Sequence, residues 1–488
     1  DVPCREVFFA RRARSERRER KMKPPKPGSH IHLMGICGTA MASLAGLLKE
    51  RGYKITGSDQ NVYPPMSTFL QAQGIQIMEG YKKENLHPKP DFVVVGNVIS
   101  KHFEEAQELV RLEIPYASLP ETMGESVIED RHSIVVAGTH GKTTTTSMAA
   151  WICEQEKLKP GFLVGGIPKN FNVSFQNPKG SHFVIEGDEY DTAYFAKVPK
   201  FLFYKPRSVI LTSIEFDHAD IYNSLDDILK AFQSLLEIIP QEEGLLIYNS
   251  EDVNIPKILP TFSGKKVSYG KAGDWQAENL EFLHKGLEFD VLFHGKKEDR
   301  LFLPMFGQYN VGNALAVYAL ARELSFSHDL KESFSQFQGV KRRQELIGEP
   351  NGIQVIEDFA HHPTAVASTI ESFKKRETSG RLFAVFEPRS NTSRRKIFQE
   401  AYQEALRPAN FVLLSEPFQG TQKVNREDSL NAQELIGNLD KGQQALCFQN
   451  VEEAIELIKD QARPGDTVLI MSNGGFQGIY QKLLDMLS

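Results

Sequence analysis

Lys142 follows one glycine directly and another at four residues' distance, and threonines follow it: Gly138-Thr139-His140-Gly141-Lys142-Thr143-Thr144-Thr145-Thr146. The chemistry open to that set is phosphate binding. A glycine turn aims backbone N–H groups at an anion, a lysine reaches the outer phosphates, and a threonine hydroxyl ligates Mg²⁺. The usual pattern has a further glycine five positions before Gly141, where this chain has Val136. The competing reading is a plain polar turn. Two acidic clusters could complete a phosphate site: Glu186-Gly187-Asp188-Glu189-Tyr190-Asp191, and Glu215-Phe216-Asp217-His218-Ala219-Asp220. Carboxylates and a histidine beside a triphosphate are natural magnesium ligands, directly or through water. Taken singly, each acid also reads as a solvated turn.

These residues need a scaffold that brings them to one place. The apolar run Ile134 to Ala137 reads as a buried strand, and Met148, Trp151 and Ile152 after the loop read as one face of a helix. Phe183-Val184-Ile185 and Ser208 to Thr212 are further strands, each delivering an acidic cluster at its end. In an open parallel sheet, ligands bind beyond the carboxyl ends of the strands, so both clusters should face Lys142. Between Lys265 and Leu303 short alternating strands suggest antiparallel additions, and Gly307 to Asn313 opens a helix in which Asn310 could be a cap.

Upstream, the strand Ile31 to Met34 runs into Gly35-Ile36-Cys37-Gly38-Thr39-Ala40, then a helix, then the strand Lys54 to Gly57 before Ser58-Asp59. This β-α-β unit with an acid about 20 residues beyond its glycines has the layout of a nucleotide-binding unit. Cys37 and Ala40 replace two of the fingerprint glycines, so a tight structural turn remains the alternative, with Asp59 as a strand-end cap. Downstream of Lys341-Arg342-Arg343, apolar strands at Ile353, Leu382, Phe411 and Thr467 alternate with helical stretches. Their ends carry Glu357 through Thr364, Glu387 through Thr392, and Ser472 to Gly475. Three polar clusters on one sheet edge look like a second site. The fold expected is therefore α/β in three domains. An N-terminal Rossmann-like domain (30–130) precedes a central P-loop ATPase-like domain (131–339) and a C-terminal Rossmann-like, doubly wound domain (340–488). Residues 1–29, with mixed charge and then proline, are expected to be disordered.

Composition narrows the class. At 488 residues, 41% hydrophobic and 25% charged, the chain is an ordinary globular protein of about three domains. A net charge of -6 argues against nucleic acid as a partner. The four cysteines (Cys4, Cys37, Cys153, Cys447) have no metal-binding spacing and suit a reducing compartment. No apolar run reaches the roughly 18 residues that span a membrane. A cytoplasmic enzyme acting on small molecules is expected, with no membrane partner and no obligate protein partner.

Taken together, the Gly138–Thr144 loop, the Glu186 cluster, Glu215 through His218, Asn310 with Asn313, and Asp358 through Thr364 resemble the Mur ligases, over about Ile31 to the end. These are ATP-dependent amide ligases of cell-wall precursor synthesis. Tyr63 through Ser67, Glu387 through Thr392 and Met471 through Phe476 resemble the branch that joins UDP-N-acetylmuramate to the tripeptide L-alanyl-γ-D-glutamyl-meso-diaminopimelate. The resemblance implies ATP and Mg²⁺, with Lys142, Glu186 and His218 catalytic and Thr143, Glu186 and His218 holding metal. It implies ATP contacts from Gly138, Thr139, His140, Gly141, Lys142, Thr143, Thr144, Asn310, Arg343 and Asp358. Gly35, Cys37, Gly38, Thr39, Ser58 and Asp59 would bind the UDP-sugar, and His361, Arg389, Ser390, Asn391 and Thr392 the peptide. For Arg389 the bland alternative is a surface salt bridge. Two rival functions stay open: ligation of free L-alanine to the same muramate, and a P-loop switch that binds nucleotide without synthesis.

Overall fold

In a computed structural model of the chain, the structure describes residues 25–62, 66–192, 198–217, 221–283, 285–376, 380–418, 426–439 and 443–488. These form two compact units, one of the described residues up to Asp130 together with Thr192, the other of Arg131–Asp191 and the described residues from Val198 on.

The first unit is built on β1 (His30–Met34), β2 (Lys54–Asp59), β3 (Gln76–Glu79), β4 (Phe92–Val95) and β5 (Tyr116–Ser118). The strands are parallel in the order β3-β2-β1-β4-β5, the arrangement of a Rossmann-like half. Consecutive residues of β1 and β4 are buried; β4 is an unbroken apolar run for that reason, whereas β1 carries His30 and the buried His32 among its apolar residues. Residues 25–29, expected outside the fold, belong to it. The Gly28 N–H donates to the Gly52 carbonyl (2.9 Å), and the Tyr53 hydroxyl donates to the Pro25 carbonyl (2.8 Å). Gly28 makes the return possible with a φ of +94°, open to glycine at little cost.

The second unit carries two sheets. The larger comprises β6 (His132–Ala137), β7 (Gly161–Leu163), β8 (Phe175–Gln176), β9 (His182–Gly187), β10 (Pro206–Leu211), β11 (Leu245–Asn249), β12 (Lys265–Tyr269), β13 (Trp275–Leu283), β14 (Gly286–Phe293) and β15 (Lys296–Leu303). Its order is β15-β14-β13-β12-β11-β10-β6-β9-β7-β8. β6 lies between β9 and β10 and runs parallel to both; β13 to β15 are the expected antiparallel additions. The helix Lys142–Gln155 buries Met148, Ile152 and Cys153 against Val136, Val184 and Ile210 of the sheet and Ala316 and Leu320 of the helix Gln308–Glu323. Each such aliphatic side chain contributes about 1.5–3 kcal/mol when fully buried, so the helix start is held rigidly over the strand ends.

The remaining sheet has the order β16-β17-β21-β18-β19-β20, from β16 (Glu345–Gly348), β17 (Gln354–Asp358), β18 (Leu382–Phe386), β19 (Phe411–Ser415), β20 (Gln444–Phe448) and β21 (Thr467–Met471). All its pairs are parallel except β16 with β17. No helix among the described residues is long and apolar enough to cross a membrane.

Candidate active site

Register brings the phosphate loop and the acids together. Ala137 pairs with Gly187 on one side and with Leu211 on the other, so the loops after β6, β9 and β10 leave the sheet at the same level. The loop itself is short, because Val136 stays inside β6 as a fully buried residue. Gly138 takes over the turn with a φ of +130°; a Cβ there would run into the Thr212 hydroxyl and the Ser213 backbone. Gly141, at φ +79°, precedes the helix Lys142–Gln155, and a Cβ on it would lie 2.7 Å from Asn313 Oδ1. Ser213 accepts the Thr139 N–H on its carbonyl (2.9 Å) and the His140 N–H on its hydroxyl (3.1 Å). No side chain caps this end of the helix, so its first-turn N–H donors face outward for an anion.

Lys142 is not the lone cation its position suggests. Its ammonium donates to the Gly138 carbonyl (2.5 Å) and sits 3.0 Å from the carboxylate of Glu189, which is 2% exposed. Burial opposes its charge, but Glu189, Asp188 and Glu186 outweigh burial and hold its pKa above the ordinary lysine value. Beside it, the Thr143 hydroxyl donates to Glu186 (3.0 Å), whose other oxygen accepts the Gly165 N–H (2.9 Å). Arg343, reaching over from the start of the third sheet, lies 3.4 Å from the Thr143 hydroxyl and stacks on Phe359 with 4.7 Å to the ring centroid. Thr144 is buried alongside. His218 lies outside the described residues.

Asn310 is not a cap: Gly307 is the residue before the helix, and Asn310 sits in its first turn, buried. Its amide donates to the Phe306 carbonyl (2.7 Å), and its oxygen accepts from Asn313 (3.1 Å). The pair therefore backs the loop at Gly141. Asp358 is buried, with one oxygen accepting the Gln344 N–H (2.8 Å) and the other the Ala360 N–H (2.7 Å). Burial raises its pKa above the usual carboxylate range despite Arg343 and those N–H donors.

On the third sheet, Arg389 is one-third exposed. It lies 3.4 Å from Glu387 and 3.9 Å above the Phe418 ring centroid. Ser390 and Asn391 turn back on their own loop, toward Ser393 (2.9 Å) and Arg394 (2.7 Å). Thr392 donates to the buried carboxylate of Asp217 (2.7 Å), fastening this loop to the segment after β10. His361 donates from Nδ1 to the Phe359 carbonyl (3.1 Å), and burial lowers its pKa to about 4.

In the first unit, Gly35 adopts φ +80° and the Cys37 N–H donates to Asp59 (2.9 Å), whose second oxygen accepts the Asn61 N–H (2.9 Å). Asp59 thus shapes the glycine turn as well as ending β2. Gly38 and Thr39 are exposed at the start of the helix Thr39–Glu50. The Ser58 hydroxyl turns inward to Glu105 (2.7 Å), which also meets His32 (2.8 Å). Burial and Asp59 push the Cys37 thiol up to about 11, so it stays protonated. The sequence names Glu189 and Glu215 only within acidic clusters, Asn313 only beside Asn310, and His362 only within the run Asp358 to Thr364, with no role for any of them singly; Ser213 goes unnamed. Each touches the loop only through the folded chain, and spacing carries no signal for that.

Comparison with known proteins adds three family matches. Residues 30–131 match the Mur ligase family catalytic domain, 136–321 the Mur ligase middle domain, and 342–474 the Mur ligase glutamate ligase domain. The chain is 40% identical, over 94% of its length and 98% of the relative's, to UDP-N-acetylmuramate–L-alanyl-γ-D-glutamyl-meso-2,6-diaminoheptandioate ligase of Escherichia coli. It is 32% identical, over 93% and 97%, to UDP-N-acetylmuramate–L-alanine ligase of Alkaliphilus metalliredigens. The crystal structure of a murein peptide ligase from Psychrobacter arcticus aligns with a TM-score of 0.68 and 38% identity, covering 94% of this chain and 99% of that one.

Proposed function

The chain belongs to the Mur ligase family, and from that premise we propose that it joins UDP-N-acetylmuramate to the tripeptide L-alanyl-γ-D-glutamyl-meso-diaminopimelate in an ATP-dependent step. It is a ligase forming a C–N bond. One observation carries the choice of amine: 40% identity to a tripeptide ligase through 94% of the chain, against 32% to an L-alanine ligase of similar coverage.

The geometry supports the following roles. Lys142 and the first-turn N–H groups of its helix bind the β- and γ-phosphates, with Gly138 to Gly141 letting the backbone come close and Thr144 lining the helix start. Arg343 approaches the same phosphates from the third sheet, and Asn310 and Asp358 hold the surrounding backbone. Thr143 and Glu186 offer hard oxygen donors 3.0 Å apart, a donor set that fits Mg²⁺, and with His218 they would hold it. Magnesium, when bound, offsets the repulsion between an anionic nucleophile and the triphosphate. The lactyl carboxylate attacks the γ-phosphorus, the bond to ADP breaks, and an acyl phosphate forms. The free amine of the peptide then attacks the carbonyl carbon, loses a proton, and phosphate leaves. Lys142 stabilises the charge on the transferring group. Gly35, Cys37, Gly38, Thr39, Ser58 and Asp59 form or shape the UDP-sugar site. His361 and the loop Arg389 to Thr392 receive the peptide. The division into 30–130 for UDP-sugar, 131–339 for ATP and 340–488 for peptide and for completing the ATP site belongs to the same reading, as does a cytoplasmic location.

Phosphate release with UDP-N-acetylmuramate and ATP, in the presence of tripeptide or of L-alanine, tests this. Release should depend on tripeptide and yield the coupled product by mass. Preference for L-alanine would overturn the choice of amine, and release with neither amine would point to a nucleotide switch.

A further inference from the structure

Three side chains from distant parts of the chain meet where the third sheet's first long helix approaches the phosphate loop. His140 comes from the loop, Glu215 from the segment after β10, and His362 from the residue that precedes the helix Pro363–Lys374. His140 Nε2 lies 3.4 Å from Glu215 Oε2, and His362 Nδ1 lies 3.9 Å from the same oxygen. The imidazole rings are tilted at 43° to each other with centroids 4.8 Å apart. His362 is 5% exposed, yet neither of its ring nitrogens has a hydrogen-bond partner, and His140 Nε2 lacks one too. Burying an imidazole without partners costs free energy, and here two such nitrogens, His140 Nε2 and His362 Nδ1, lie beside one carboxylate.

We propose that His140, Glu215 and His362 form a binding site for a divalent transition metal of the zinc class. Two imidazoles and a carboxylate are a donor set that zinc accepts with a fourth position left open. Bonds of about 2.0–2.1 Å place tetrahedral ligands about 3.3–3.4 Å apart. The His140–Glu215 pair already meets that spacing. All the ligand atoms lie within 4.8 Å of one another, so the widest gap closes by at most about 1.4 Å through side-chain rotation. The Thr364 hydroxyl donates to Glu215 Oε2 (2.8 Å), an outer hydrogen bond that holds the carboxylate in place. Nitrogen ligands separate this site from the oxygen donors Thr143 and Glu186, and magnesium is the poorer competitor for it. An ion here would tie the start of the Pro363–Lys374 helix to the phosphate loop, so zinc is expected to slow turnover by restraining that approach.

The test uses the full chain, stripped with chelator and held in millimolar Mg²⁺, with Zn²⁺ as the probe in equilibrium dialysis and Co²⁺ as a spectroscopic stand-in. Wild type should retain one Zn²⁺ per chain, and Co²⁺ should give the visible bands of a tetrahedral site. His362→Gln and Glu215→Gln should each weaken Zn²⁺ binding at least tenfold and remove the Co²⁺ bands, whereas His294→Gln, at an exposed histidine, should change neither. Wild-type affinity in both variants, displacement of Zn²⁺ by Mg²⁺, or no tetrahedral Co²⁺ spectrum would overturn the proposal. Should His362→Gln fail to fold, Glu215→Gln and the wild-type spectrum still decide it.

Discussion

Replacing Lys142 should damage the fold as well as the reaction, and the two losses can be separated. Lys142 and Glu189 are 13% and 2% exposed with 3.0 Å between their charged atoms, so Lys142→Met takes a cation away from a buried carboxylate. Breaking a buried pair from one side costs about 3–5 kcal/mol, whereas replacing both partners is often nearly neutral. The lower figure, about 3 kcal/mol, applies here because Lys142 still reaches solvent. For a domain of 150–250 residues that is a fall in Tm of roughly 6–12 °C. Lys142→Met/Glu189→Gln should recover most of that stability without recovering phosphate release, because the ammonium that stabilises the transferring phosphoryl group is missing from both variants. Calorimetry or dye-monitored melting gives the first quantity, and tripeptide-dependent phosphate release the second. Equal melting temperatures in the single and double variants would show that the pair contributes nothing. Near wild-type turnover in a folded Lys142→Met protein would remove the lysine from the mechanism altogether.

Arg389→Ala should raise the KM for tripeptide by one to two powers of ten, from the loss of about 1.5–3 kcal/mol in a charge-assisted bond, and leave the KM for UDP-N-acetylmuramate nearly unchanged. Steady-state kinetics with each substrate varied in turn checks it, and equal changes in both constants would count against a peptide role. Gly141→Ala places a side chain at φ +79° and against Asn313, so nucleotide affinity should drop at least tenfold. The double variant with Asn313→Ala should regain only the part due to the clash, as isothermal titration with a non-hydrolysable ATP analogue would show. Burial, then His182 and Arg207, hold His132 at about 4, below the ordinary 6.5. Folded His132 therefore stays neutral where the unfolded ring takes a proton. Its effect on stability is absent above about pH 6.5 and grows unfavourably as pH falls toward 4. Melting curves of His132→Gln should be flatter across that window, and a slope equal to wild type would assign the pH dependence elsewhere.

The strands legible in the sequence are those buried on both faces. Ile134 to Ala137, Val93 to Val95 and Leu382 to Phe386 are unbroken apolar runs because layers cover them on either side. β3, β16 and β20 escaped notice for the opposite reason. Gln76–Glu79, Glu345–Gly348 and Gln444–Phe448 are short and partly exposed, and they become strands through pairing with a neighbour already in place. The phosphate loop was legible because its glycines answer to a local need, a left-handed turn with no room for a Cβ. The pairing of Glu189 with Lys142 and of His362 with His140 was not, since an ion pair or a ring contact over tens or hundreds of residues leaves no periodic trace. A cap is one reading open to Asn310 in the sequence, because asparagine favours that position. Gly307, with a φ of +93°, already makes the entry into the helix, which frees Asn310 to support Asn313 and the loop.

The short segment after β10 is gripped by the third sheet at two points, Thr364 on Glu215 and Thr392 on Asp217, while Thr139 of the phosphate loop accepts the Glu215 N–H (2.8 Å). The part of the chain assigned to choosing the amine and the part assigned to handling phosphate therefore read the same peptide of three residues. That bears on how ligases of this kind can be recombined. Grafting residues 340–488 from a relative with another amine preference would import new side chains opposite Glu215 and Asp217 without the acids that match them. A working chimera must move 215–217 together with the graft, so the joint of exchange lies inside the nucleotide domain and not at its border.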